Sequence, residues 1–145
     1  MVPVYQGRAE TLRCLYSVLA ASCTTSFELV VIDDAGPDAE LNEDLERLAS
    51  QGLFTLMSNP QNLGFVQTVN RGMALHPKRD VMLLNADTEV FDGWLDRLRR
   101  TAQRHPRTGT VTPLSNNATI CSYPVFDHDN PSPLEVSSAQ LDRLS

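Results

Sequence analysis

The chain has 145 residues, 41% of them apolar and 21% charged, a balance typical of one globular domain that can bury its own core. A net charge of −6 argues against a general nucleic-acid-binding protein, because such proteins hold phosphates with a basic surface. No apolar run is long enough to cross a bilayer and no signal-peptide pattern is present. The three cysteines share no metal-ligand spacing, which favours free thiols in a reducing compartment.

Short apolar runs alternate with stretches of helical periodicity along most of the chain. The runs predict strands, which lie at 2–4, 27–32, 53–57, 81–84 and 110–112. Apolar residues at helical spacing predict helices between them, near 12–19, 37–51, 65–75 and 92–105. Asp92 is the predicted cap of the last helix. This alternation predicts an α/β fold with a mostly parallel central sheet and helices on both faces.

Chemically distinctive residues follow three of the predicted strands at their carboxyl ends. In open α/β sheets, ligands bind beyond that edge. These residues are therefore expected to share one edge in space, although they are far apart in sequence. They are Pro3-Val4-Tyr5, Asp33-Asp34 and Asn85-Ala86-Asp87.

Asp87 is the first candidate for a metal ligand. A carboxylate close to a second oxygen ligand suits a hard divalent cation such as Mg²⁺ or Mn²⁺. Such a cation often meets one or two protein carboxylates and takes its other ligands from phosphate and water. The alternative is that Asp87 and Thr88 only form a turn or a cap.

Asp33-Asp34 presents a similar choice. Adjacent carboxylates repel each other unless a partner needs them, and one of the two could accept a hydrogen bond from a base or a ribose hydroxyl. The alternative is that one caps the helix near Pro37 while the other is solvated. Tyr5 could likewise stack on a planar base or pack at the edge of the core.

The stretch NPQNLGFVQTVNRG, residues 59–72, joins the third predicted strand to the third predicted helix. Asn62 lies in its loop. Gly64 and Gly72 allow close backbone approach or a positive φ, and Arg71 could neutralise a phosphate or contact a base. The alternative is a glycine-assisted turn followed by an arginine that only faces solvent.

Four blocks of this sequence resemble, in their order and spacing, the nucleotide-binding half of the inverting family-two glycosyltransferases. The blocks are VPVYQG (2–7), ELVVIDDAGPD (28–38), NPQNLGFVQTVNRG (59–72) and LLNADTEVFDGWLDRL (83–98). The segment TGTVTPLSNNATICSYP (108–124) is also similar to bacterial members that act on surface polysaccharides. The resemblance implies a Rossmann-like GT-A fold, with residues 1–115 binding the sugar nucleotide and residues 116–145 beginning the acceptor side.

The resemblance also implies which residues hold the base. Pro3, Val4 and Tyr5 would line its pocket, and Tyr5 would pack on the base. Asp34, or its neighbour Asp33, would accept a hydrogen bond from it.

The remaining matched residues would lie nearer the diphosphate. Asn62 and Arg71 belong to the block that lies close to the base and the phosphates. Asn85-Ala86-Asp87 corresponds to the family's DxD motif, in which Asp87 would coordinate the divalent metal. Asn85 would lie near the ribose, where the family more often has an aspartate.

The implied reaction transfers a sugar from a UDP- or dTDP-linked donor to a hydroxyl of a sugar, lipid-linked or protein acceptor. The metal would stabilise the departing diphosphate, and an acidic general base would deprotonate the acceptor. No clear base emerges from the carboxylates of the C-terminal stretch, which are Asp127, Asp129, Glu135 and Asp142. We therefore expect the base beyond Ser145, in a longer enzyme of which this chain is a truncated, inactive portion. We expect a cytoplasmic protein, or one held at the inner membrane face by regions outside this chain.

Three other functions remain open at this point. A non-catalytic module that binds sugar nucleotides would use the same residues. A nucleotidyltransferase shares a related fold, but QGRAETLR, with its single glycine, lacks the density of glycine and of lysine or arginine that the phosphate loop of such enzymes needs. A receiver domain would use Asp33-Asp34 and Asp87, yet its chemistry requires a lysine near a late strand, and the only lysine is Lys78.

Overall fold

Three short strands and four helices make up the regular structure of the described residues. A computed structural model of the protein describes residues 1–115, 120–123, 125–127, 130 and 140. In chain order the elements are β1 (Val2–Val4), α1 (Arg8–Ala20), β2 (Val30–Asp33), α2 (Ala39–Ser50), β3 (Thr55–Ser58), α3 (Phe65–Leu75) and α4 (Trp94–Ala102). None of these helices combines the length and apolarity that a membrane-spanning helix requires.

The sheet is parallel, with the strand order β1-β2-β3. Val4 pairs with Asp33 and Asp33 with Ser58, so the three strands end side by side. Val31 and Ile32 in the central strand are fully buried. The predicted parallel sheet flanked by helices is therefore confirmed.

The helices cover the sheet with regularly spaced apolar residues. In α2, Leu41, Leu45 and Leu48 are buried on one face, and each buried leucine stabilises the fold by about 1.5–3 kcal/mol. The α2 cap is Asp38, whose Oδ1 accepts a hydrogen bond from Leu41 N at 3.1 Å. Neither Asp33 nor Asp34 serves as this cap.

Gly72 lets α3 approach the sheet closely. A Cβ atom at Gly72 would lie 2.5 Å from both Ile32 Cδ1 and Met1 Sδ. Any larger residue would therefore collide with the core, which gives this glycine a structural role.

Two predicted strands are absent from the described residues. Residues 81–84 lie beside β1, where the Met1 amino group donates to Met82 O at 2.6 Å and Leu84 N donates to Met1 O at 3.0 Å. This is the pattern of a single parallel pair, too short a ladder to make a strand, although Leu84 is buried. The prediction of a strand at 110–112 is also wrong, because these residues form no ladder.

The remaining differences concern element boundaries. β2 begins three residues later than expected, since Phe27 is 45% exposed and pairing starts at Val30. β3 is likewise shifted toward its carboxyl end, to Thr55–Ser58. The α4 cap is Gly93 rather than Asp92, and Asp92 instead accepts a hydrogen bond from Ser22 N at 2.8 Å.

The chain divides into two compact units. The first comprises Met1–Ala21 and Ser26–Val90, and it contains the sheet with α1, α2 and α3. The second comprises Ser22–Thr25 and Phe91–Ser145, and it contains α4.

In the second unit, Asp96 holds the 22–25 segment. Its carboxylate accepts hydrogen bonds from Thr24 N at 2.8 Å and Thr25 N at 2.7 Å. Hydrogen bonds from Thr25 and Thr24 keep the pKa of Asp96 far below its usual range. This carboxylate is therefore committed to the fold of its own unit.

Candidate functional site

The first unit contains a cleft of about 320 Å³ near the end of β1. Pro3, Asn85, Ala86 and Asp87, all expected near the nucleotide, line it together. The other lining residues, which the sequence patterns did not single out, are Gln6, Glu10, Thr11 and Phe65. The structure thus brings Pro3 together with the 85–87 group, although they lie more than 80 residues apart in the chain.

Helix α1 fixes the backbone of the Asn85-Ala86-Asp87 group. Asn85 O accepts a hydrogen bond from Thr88 N at 3.1 Å, which closes a turn, and Cys14 Sγ lies within 3.4 Å of the same oxygen. Further along, Val90 N donates to Ser17 Oγ at 3.1 Å. The segment 85–90, which carries Asp87, is therefore attached to α1 at both of its ends.

Asp87 itself is exposed at the cleft. Within the described ranges its carboxylate accepts no hydrogen bond and forms no ion pair. No cluster of three or more acidic, histidine or cysteine side chains occurs in those ranges either. A cation here would therefore depend on Asp87, neighbouring oxygens such as that of Asn85, and ligands from a bound phosphate.

Asp34 has a different environment, since its side chain is only 4% exposed. Asp34 Oδ1 accepts hydrogen bonds from Asn59 Nδ2 at 2.6 Å and Leu63 N at 2.8 Å, and Oδ2 accepts one from Gly64 N at 2.9 Å. Burial alone would raise the pKa of this carboxyl, but the hydrogen bonds from Leu63, Asn59 and Gly64 together hold it below the usual value. Asp34 therefore organises the loop that follows β3.

A chain of polar contacts extends from Asp34 to α3. Asn59 Nδ2 also lies 2.8 Å from Thr68 Oγ1, and Arg71 Nη1 donates to Asn59 Oδ1. Asn59 and Thr68 are 5% and 1% exposed. The sequence patterns did not identify either residue; the available signal was a polar pair, Ser58-Asn59, at the end of a strand that runs beside Asp33-Asp34.

Asp33 lies at a tightly packed turn beside Tyr5. Its Oδ1 accepts a hydrogen bond from Gly36 N at 3.1 Å, and Ala35 has a φ of 53°. A Cβ at Gly36 would lie 1.8 Å from Tyr5 O, so only glycine fits there. The Tyr5 side chain is 41% exposed, which leaves its ring accessible.

Val4, Asn62 and Arg71, which were also expected near the nucleotide, lie outside the cleft lining. Val4 is buried in the core at 2% exposure. Asn62 is exposed, and its Oδ1 accepts a hydrogen bond from Gly64 N at 2.8 Å, an interaction within the loop. Arg71 is exposed apart from its contact with Asn59.

Of the four C-terminal carboxylates considered for the general base, the structure describes Asp127. Asp127 is exposed and has a φ of 60°. The other carboxylates considered for this role lie outside the described residues; they are Asp129, Glu135 and Asp142.

The amino-acid sequence of this chain is similar to those of known enzymes that transfer sugars. A putative polypeptide N-acetylgalactosaminyltransferase 13 of Drosophila melanogaster is 32% identical over 103 residues, covering 64% of this chain and 18% of its own. Polypeptide N-acetylgalactosaminyltransferase 3 of Mus musculus is 29% identical over 125 residues, covering 84% of this chain and 19% of its own. This chain therefore spans less than one fifth of the length of these relatives.

The chain is also similar to a solved structure and to a family model. The crystal structure of S. aureus TarS is similar with a TM-score of 0.53 at 22% identity, covering 68% of this chain and 18% of that one. This likeness concerns the fold, and together with the family match it confirms the expected GT-A architecture. The model described as glycosyl transferase family 2 matches residues 1–117. The chain belongs to glycosyltransferase family 2.

Proposed function

We propose that this chain forms the donor-binding part of an inverting glycosyltransferase. The enzyme would transfer a sugar from a nucleotide diphosphate to an acceptor hydroxyl. The observation that carries the proposal is the cleft that joins Pro3 of β1 to Asn85, Ala86 and Asp87. In a family-2 chain, this is the edge of the sheet where a nucleotide ligand is expected.

Asp87 is the proposed ligand of a divalent cation, Mg²⁺ or Mn²⁺. The donor set fits such a hard cation, because Asp87 offers an exposed carboxylate at the cleft and Asn85 a neutral oxygen. When bound, the cation would act as a Lewis acid that stabilises charge on the departing diphosphate. The chain is acidic overall, so its own charge disfavours a phosphate ligand without a cation.

The base is proposed to bind beside the turn that follows β2. Tyr5 offers an accessible ring for stacking, and Asp33 is the carboxylate that remains partly exposed. Because the oxygens of Asp34 are engaged by Asn59 and the loop backbone, we assign the contact with the base to Asp33. Asp34 then acts as a positioning residue for this pocket.

The other predicted residues are proposed to support the donor. Pro3 and Ala86 line the cleft, while Val4 would shape the base pocket through its backbone. Asn62 would act through the loop it orders, and the exposed part of Arg71 would lie near the phosphates.

The donor and the acceptor are proposed from similarity. The sequence resemblance supports a UDP- or dTDP-sugar donor and a sugar or lipid-linked acceptor in bacterial surface polysaccharide synthesis, at the cytoplasmic face of the membrane. The names of the relatives support N-acetylgalactosamine as the sugar and a polypeptide as the acceptor. A transfer assay with both acceptor classes would separate the two.

A non-catalytic sugar-nucleotide-binding module is the second candidate, because none of the described residues has been assigned the role of general base. The same transfer assay discriminates between the two functions. Turnover by this chain alone would establish catalysis, and would also contradict the expectation that the base lies beyond Ser145.

The binding site itself can be tested by calorimetric titration of UDP and dTDP, with and without Mn²⁺. We expect metal-dependent binding that weakens at least about tenfold in Asp87→Asn, since metal-site substitutions commonly cost that much. Glu89→Gln is the matched control, because it removes the same charge from an exposed position outside the cleft. Equal nucleotide binding by wild type and Asp87→Asn would overturn the assignment of Asp87.

A further inference from the structure

Gln6 and the first turn of α1 form one wall of the cleft. Gln6, Glu10 and Thr11 line it together with Asn85 and Asp87. The roles proposed for the donor's base and metal use neither Gln6, Glu10 nor Thr11. An amide, a carboxylate and a hydroxyl on one wall therefore remain without an assigned function.

Thr11 is the most unusual of these residues. Its side chain is fully buried, and its Oγ1 has no hydrogen-bond partner within the described residues. Its backbone is satisfied, because Thr11 N donates to Gly7 O at 2.9 Å. A buried hydroxyl left unpaired costs about 1–3 kcal/mol, so this one is expected to find its partner in a ligand or an ordered water.

The neighbours of Thr11 indicate the chemistry of that ligand. Glu10 and Asp87 make the cleft acidic, which disfavours a bare anion against this wall. Carboxylate, amide and hydroxyl groups all pair well with hydroxyl groups. Phe65, 53% exposed, adds an aromatic surface to the same cleft, against which the apolar face of a sugar ring can pack.

We propose that Thr11, Glu10 and Gln6 form a hydroxyl-binding wall that recognises a sugar ring of the donor. Gln6 and Glu10 meet the ring hydroxyls first, and Thr11 Oγ1, buried in the free protein, bonds a ring hydroxyl or one bridging water after its side chain rotates toward the cleft. This inference rests on the proposed donor-binding function. The hydroxyls could belong to the ribose of the nucleotide or to the transferred sugar. Both present the same chemistry to the wall.

The decisive variant is Thr11→Val, which keeps the shape of the side chain and removes the hydroxyl. With Mn²⁺ present, we would titrate UDP, 2′-deoxy-UDP, UDP-glucose and UDP-N-acetylgalactosamine into wild type and variant. We expect binding to weaken about three- to tenfold, the value of one hydrogen bond. If Thr11→Val weakens the binding of the UDP-sugars alone, the wall recognises the transferred sugar. If it weakens the binding of UDP and of the UDP-sugars but not of 2′-deoxy-UDP, the wall recognises the ribose.

Two further variants separate recognition from folding. Thr11→Ser keeps the hydroxyl and is expected to retain binding. In urea unfolding, Thr11→Val should keep or raise the midpoint, while Thr68→Val should lower it, because Thr68 Oγ1 is 2.8 Å from Asn59 Nδ2. A midpoint lowered equally by both valine variants would show that Thr11 already has a protein partner, and would overturn the proposal.

Two further outcomes of the titration distinguish a failure of this inference from a failure of the proposed function. If wild type binds UDP and Thr11→Val binds every ligand equally well, the wall has no role in recognition and this inference alone fails. If wild type binds no nucleotide with Mn²⁺, the proposed function fails, and the inference fails with it.

Discussion

Asn59 Nδ2 donates a hydrogen bond to the buried carboxylate of Asp34 at 2.6 Å, which joins the ends of β2 and β3. The same carboxylate binds the backbone of Leu63 and Gly64, so it also closes the loop that leads into α3. One charged side chain thus sets the relative positions of three elements around the predicted base pocket. The Asp34 oxygens are therefore engaged within the protein, and Asp33 is the member of the acidic pair that remains partly exposed.

Asp34→Asn should destabilise the protein by about 2–4 kcal/mol. The NH₂ group that replaces one carboxylate oxygen would face a buried N–H donor, and that donor would lose its hydrogen-bond partner. The midpoint of urea unfolding, followed by circular dichroism, measures this change. Asp80→Asn is the control, since it removes the same charge at an exposed position. Equal midpoints for the two variants would contradict the role given to Asp34.

The stability of the fold should fall as the solution becomes acidic. The pKa of Asp34 is lower in the folded protein than its usual value, because hydrogen bonds to the ionised form outweigh the effect of burial. A depressed folded pKa gives stability that is present above the unfolded pKa and lost as pH falls through the folded one. The urea midpoint should therefore decrease between about pH 5 and pH 2, and this decrease should be shallower in Asp34→Asn. Parallel pH profiles for the two proteins would contradict this assignment.

The sequence predicted most of the architecture because its signals are local. Leucines at helical spacing marked α2, and α3 occupies Phe65–Leu75 as expected. The strand expected at 81–84 failed because strand pairing depends on the neighbour, and among the described residues only Met1 exchanges backbone hydrogen bonds with that segment. Thr11 resembles any polar residue of an amphipathic helix until the fold brings the 85–87 turn against α1.

Gly36→Ala should disrupt the turn between Asp33 and α2. The added Cβ would lie 1.8 Å from Tyr5 O, a backbone atom that cannot move aside without shifting the end of β1. Overpacking of this kind costs at least about 1–3 kcal/mol, and nucleotide binding should weaken with it. Gly109→Ala is the matched control, because a Cβ there meets no atom within 4 Å. Thermal unfolding compares the two, and an unchanged melting temperature in Gly36→Ala would contradict the close approach.

The three cysteines should react with a thiol reagent in two phases. Cys14 is 1% exposed, and burial raises the pKa of its thiol to about 11. Cys23 and Cys121 are partly exposed. Because the thiolate is the reactive form, we expect Cys23 and Cys121 to be modified first at mildly alkaline pH, and Cys14 only as the protein unfolds.

Absorbance of the released thiolate of Ellman's reagent measures both phases, with and without urea. In Cys14→Ala the slow phase should disappear while the fast phase keeps its amplitude. The slow rate should also follow the urea dependence of unfolding, because the Cys14 thiol packs against Asn85 O beneath the turn that carries Asp87. Rapid modification of all three thiols without urea would show that α1 opens readily, and that the attachment of the 85–87 turn to α1 is weaker than its hydrogen bonds imply.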